Sequence, residues 1–171
     1  MVSTRNTTQS LFRNGILIGL AGGLSEVAVV GAYTALTGGD AAVVGRGIAT
    51  AVGLTDASAW AGLGVHMGLA AALGVGLYAA RRATNGSRGA DGDVRFMLAS
   101  LAAIWAVNFF VVLPLLSPGF VHILPYAVTL TSKLAFGLAA AGVMRVQGSP
   151  GRLLNRMTHR PASHHAFHPA G

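Results

Sequence analysis

Four strongly polar side chains stand inside long apolar runs of this 171-residue sequence: Glu26, His66, Asn108 and Lys133. A carboxylate, an imidazole, an amide and an ammonium can form a buried ion pair that fixes helix register. They are also the parts of a proton or ion pathway, in which carboxylate, imidazole and amine side chains hand protons on. A third possibility is a ligand, metal or cofactor site. Glu26 and His66 would be two metal ligands and His122 a third, although the charge of Lys133 opposes a bound cation. A further metal candidate is the carboxyl-terminal tract with His159, His164, His165 and His168, since His-rich segments bind divalent ions. The plainer reading of that tract is a solvated tail. No residue pattern assigns a cofactor.

The runs that carry the four polar residues are long enough to matter. Hydrophobic residues make up 53% of the chain and charged residues 10%, against about 25% charged in a typical soluble domain. The apolar residues fall in four runs, about 14–36, 57–80, 94–116 and 121–144. Each is long enough to cross a hydrocarbon core at about 1.5 Å per residue. The fold class expected is an all-α integral membrane protein, a four-transmembrane-helix bundle. A cleaved signal peptide competes for the first run, but that run exceeds a typical h-region and contains Glu26.

The connections read as stops and caps. Thr37-Gly38-Gly39-Asp40 ends the first helix, and Asp40 suits an N-cap for the next one. Residues 41–52 are too short to span and carry Arg46, so they read as a short interfacial or re-entrant helix between spans one and two. Asp56 reads as the cap of span two, and Arg81-Arg82 close it. Pro114 and Ser117-Pro118-Gly119 stop span three, and Pro125 falls in the first turn of span four. Residues 1–13 form an amino-terminal segment, 14–144 the membrane domain, and 145–171 a tail expected to be largely disordered.

Ten of the twelve Lys and Arg residues lie in the amino-terminal segment, the loop after span two, or the tail. The opposite side has only Arg46. The positive-inside rule therefore places both termini in the cytoplasm, and the compact, Ala- and Gly-rich chain reads as a bacterial-type inner-membrane protein. With alternating direction, the four polar residues fall in one layer of roughly 6–8 Å. A lone charge at that depth costs about 3 kcal/mol. The expected arrangement therefore turns all four inward, Glu26 on Lys133, with His66 and Asn108 completing the hydrogen bonds.

Small residues recur every four positions on two spans: Gly15, Gly19 and Gly23 on the first, Gly64, Gly68, Ala72 and Gly76 on the second. Such stripes let helix backbones approach closely where apolar burial gives little drive. The two stripes are expected to bring spans one and two together. Gly22 shares a face with Glu26, and Gly137 and Ala141 share one with Lys133.

The absence of cysteine excludes disulfides and thiolate chemistry. No phosphate-binding loop, nucleophile elbow, zinc-protease motif or dinucleotide fingerprint occurs. The basic segments lack the interleaved aromatics of a nucleic-acid surface, so nucleic acid is not an expected partner. The bilayer is one, with a homo-oligomer or larger membrane complex as a further possibility. The expected function is a non-catalytic membrane subunit or assembly protein with a structural polar cluster. The alternative is a small transporter, or a protein that handles protons or metal through that cluster.

Overall fold

A computed structural model describes residues 4–84 and 89–148. Within them every regular element is helical. Four helical stretches are long and apolar enough to cross a membrane: Thr8–Thr37, Ala59–Ala83, Ala90–Leu116 and Tyr126–Gln147.

Helix α1 (Thr4–Thr37) is followed by α2 (Ala41–Ala51) and α3 (Ala59–Ala83). Gly38, at φ 70°, ends α1 in the left-handed conformation that a glycine adopts without strain. Asp40 caps α2 through a hydrogen bond from the Ala42 amide, 2.8 Å. The cap of α3 is Ser58, which accepts from Ala61 N at 3.2 Å. Asp56, expected in that role, instead occupies a left-handed turn at φ 63°. Aspartate tolerates that conformation better than most residues.

The third long rod joins α4 (Ala90–Val107), a π turn (Asn108–Val112) and α5 (Leu113–Leu116). In an unbroken α-helix the ring of Pro114 would clash with the carbonyl of Phe110, and a widened turn just before a proline relieves that clash. A 3-10 turn (Pro118–His122) comes next, and α6 runs Tyr126–Gly148. The fourth rod thus starts at Tyr126 rather than at 121. The Pro125 carbonyl accepts from the Val128 and Thr129 amides at its start.

Helix α1 packs on α3 along one side and on α6 along another, α4 packs on α6, and α3 and α4 meet only lightly. The contacts fix direction. Gly15 approaches Val75, and Gly23 approaches Met67 and Ala70, so α1 and α3 are antiparallel. Gly22 meets Phe136 while Glu26 meets Lys133, so α1 and α6 are antiparallel too. Leu101 lies against Gly137 and Trp105 donates to Thr129, which makes α4 antiparallel to α6. The rods therefore alternate up and down.

This topology gathers Arg13, Arg81, Arg82, Arg95 and Arg145 at one end, hereafter the basic end, and leaves Arg46 of α2 at the other. At the basic end the buried Arg81 bonds Asp93 at 2.7 Å and stacks over the Phe96 ring, which ties α3 to α4. One apolar core, built on Ile18, Leu77, Met97, Leu101, Phe136 and Ala140, fills the half of the bundle toward that end. A second, built on Phe109, Leu113 and Val121, fills the opposite end. There Trp105, Phe109, Phe110 and Tyr126 make a connected set of ring contacts.

Only one of the two expected small-residue stripes makes the α1–α3 contact. Gly15, Gly19 and Gly23 do face α3, and a methyl added to Gly19 would meet the Ala70 carbonyl. On α3, however, the contact residues are Gly74, Ala70 and Val75. Gly62, on the same side, receives α2 at Gly45. Gly64, Gly68, Ala72 and Gly76 are exposed, and the three glycines have open space where a side chain would be. A helix this rich in Gly and Ala has small residues on more than one face, so period alone does not select the buried one.

Candidate functional site

Three of the four polar residues meet between the two apolar cores. Glu26 is the seventh residue after Gly19 on α1 and lies on the side that turns between α3 and α6. Its carboxylate has a partner on each of those helices. Lys133 Nζ of α6 lies 2.6 Å from Oε1, and His66 Nε2 of α3 lies 3.6 Å from Oε2. His66 Nε2 is also 3.3 Å from the Gly23 carbonyl oxygen. Both neighbours of Nε2 are acceptors, which assigns a proton to that nitrogen.

Burial is uneven. The Glu26 side chain is 6% exposed, His66 20% and Lys133 19%. The acid is therefore nearly enclosed, while each of its two partners keeps about a fifth of its side chain exposed. Lys133 also lies 5.9 Å from the Phe136 ring centre, a cation–π contact. The same ring fills the notch left by Gly22, where any side chain would collide with it. One phenylalanine thus packs α6 onto α1 and sits beside the ammonium.

Asn108 is not part of this group. It opens the π turn, is half-buried, and lines a shallow apolar groove with Ala103, Ile104, Val107 and Val112. The pairings of Leu101 with Gly137 and Trp105 with Thr129 set its depth near Tyr126. That is seven residues, or about 10 Å, from Lys133 along α6. Counting residues from the ends of apolar runs gives depth too coarsely to exclude this.

The metal candidates are likewise not assembled. Among the described residues no group of three or more His, Asp and Glu is close enough to hold an ion. His122 is exposed on the 3-10 turn. His159, His164, His165 and His168 lie outside the described residues.

Two contributions escape a reading of the sequence. Phe136, three residues after Lys133, carries the i, i+3 spacing that puts both on neighbouring helix positions. Trp105 donates to Thr129 Oγ1 at 3.0 Å and anchors α4 to α6 above the cluster. Both are aromatic residues within apolar runs, and composition alone does not distinguish them from ordinary core.

Chemically, the arrangement is a carboxylate shared by two bases from two other helices. Two surface grooves among the described residues, one beside Asn108 and one between α1 and α6, are lined by none of the three. Compared with protein-family models, with curated proteins and with solved structures, the chain matches none.

Proposed function

We propose that the chain is a multi-pass integral membrane protein whose Glu26–Lys133–His66 cluster is structural, and that it serves as a non-catalytic subunit or assembly partner of a larger membrane complex. The observation that carries the functional part is the pairing of a nearly buried Glu26 with Lys133, with His66 beside it. Each oxygen faces a basic side chain, at 2.6 Å and 3.6 Å, and the acid is 6% exposed. A relay group needs a route by which its proton arrives and leaves; a register pin needs only its partners.

Membrane insertion is supported by the outward surface. Leu24, Leu69, Phe110 and Leu138 are each more than half exposed within the long rods. Water-soluble monomers rarely expose apolar surface continuously along every helix. The connected Trp and Tyr rings at the end opposite the basic one suit a membrane–water interface. The basic end is assigned to the cytoplasm and α2 to the other face, lying at the interface, in a bacterial-type inner membrane.

The absence of native cysteine makes the orientation simple to test. An impermeant maleimide applied to intact cells should label a Thr55→Cys variant. It should label Ala90→Cys only after permeabilisation. The reverse pattern overturns the orientation.

The subunit reading predicts that the chain, released gently from its own membrane, carries the mass of a different polypeptide in native mass spectrometry. A bare chain or a homo-oligomer overturns it and moves the weight to a self-contained activity such as transport.

A further inference from the structure

Between α1 and α6, on the side facing away from the polar cluster, runs a groove of about 750 Å3. Leu17, Leu20 and Leu24 form one wall, and Ala139, Gly142 and Val146 the other. From Leu17 to Leu24 is seven residues, so the groove is about 10 Å long. It starts at the basic end and stops short of the depth of Glu26.

Its basic end is polar in a specific way. The side-chain nitrogen and oxygen of Gln147, which lines that end, are both buried and without a hydrogen-bond partner among the described residues. Buried amides are normally paired, and leaving one unpaired costs about 1–3 kcal/mol. Arg13 stands one turn before Leu17 on the same face of α1, and it is exposed. It has no ion-pair or hydrogen-bond partner among the described residues.

An apolar channel that ends in an unpaired amide and an unpaired guanidinium matches an amphiphile with an acyl chain and an anionic head. We infer that this groove binds one anionic phospholipid of the leaflet at the basic end. The acyl chain lies along Leu17–Leu24 and Gly142, and the phosphate sits beside Arg13. The terminal torsion of Gln147 is soft, and its rotation brings the amide to the glycerol ester and head group. This inference rests on the membrane reading above. Charge argues against a second copy as the occupant. The groove faces of α1 and α6 carry no carboxylate, so a symmetric dimer there would set Arg13 against Arg13.

The test is native mass spectrometry of the full chain in mild detergent, with phosphatidylglycerol or phosphatidylcholine of matched acyl chains. Wild type should retain one phosphatidylglycerol, about fivefold in preference to phosphatidylcholine, as one arginine near an anionic head supplies. Arg13→Gln should bring that ratio close to one. Gly142→Leu should lower retention of both lipids. A Cβ at position 142 meets nothing within 4 Å, so the substitution does not start from a backbone clash, and unfolding of the variant in bicelles should match wild type. Gly68→Leu, on the outer face of α3, should change neither.

Equal retention of the two lipids by wild type, undiminished binding in Gly142→Leu, or a second copy in place of the lipid would each overturn the inference. Release of the chain from its membranes by alkaline carbonate without detergent would overturn the membrane reading as well. A chain that needs detergent but shows no lipid preference overturns the lipid inference alone.

Discussion

Replacing Glu26 alone by leucine is expected to destabilise the bundle by about 3 kcal/mol, the scale of a buried pair broken from one side. The loss of attraction is the smaller part of this. Lys133 keeps its charge, sits beside Phe136, and loses the oxygen 2.6 Å away. His66 loses the carboxylate 3.6 Å from Nε2 and keeps the Gly23 carbonyl. Replacing Lys133 together with Glu26 by leucine removes both charges and leaves His66 its Gly23 carbonyl. That double variant is expected to return to within about 1 kcal/mol of wild type, because an apolar pair of similar volume often equals a buried ion pair. Denaturant unfolding of the purified chain in bicelles measures all three. A double variant as unstable as Glu26→Leu would sink this view of the cluster.

Gly19→Leu should have an effect at least as large, about 3 kcal/mol. The new Cβ would meet the Ala70 carbonyl oxygen, and backbone cannot move aside as a flexible side chain can. On the facing helix, Gly74 approaches the Gly19 backbone just as closely. The two helices must separate, and the separation also pulls His66 from Glu26, whose contact lies two turns further along. Gly68→Leu offers the contrast. Its stripe has the same four-residue spacing, but the substitution meets open space and should change stability by less than about 0.5 kcal/mol. Equal losses from both variants would mean that α3 presents the other face to α1.

Much of the architecture is legible in the sequence because hydropathy and charge act over whole segments. Four apolar runs and the cluster of arginines around them specify four long rods and the end at which the basic residues gather. Asp40 is readable as a cap because one short side chain and one amide decide it. The meeting of Glu26 with Lys133 is expected from the cost of leaving either alone.

The features that the sequence misplaces depend on rotation about a helix axis or on local shifts in register. Gly64, Gly68, Ala72 and Gly76 repeat as regularly as the α1 stripe, yet the buried face of α3 is the one bearing Ala70 and Gly74. Counting residues inward puts Asn108 in the polar layer. It belongs instead to the π turn that accommodates Pro114, nearer Tyr126 than Lys133. Asp56, read as the cap of α3, stands two residues before Ser58, which takes that role; both carry a short side-chain acceptor, and a shift of half a turn in where the helix begins decides between them.

The most direct test of a structural cluster is proton flux in vesicles that contain only the purified chain, with a pH dye inside and an imposed potential. The expected flux equals that of empty vesicles, both for wild type and for Glu26→Leu with Lys133→Leu. Flux above empty vesicles that disappears in the double variant would contradict it, and would make the Glu26–Lys133–His66 cluster a working pathway.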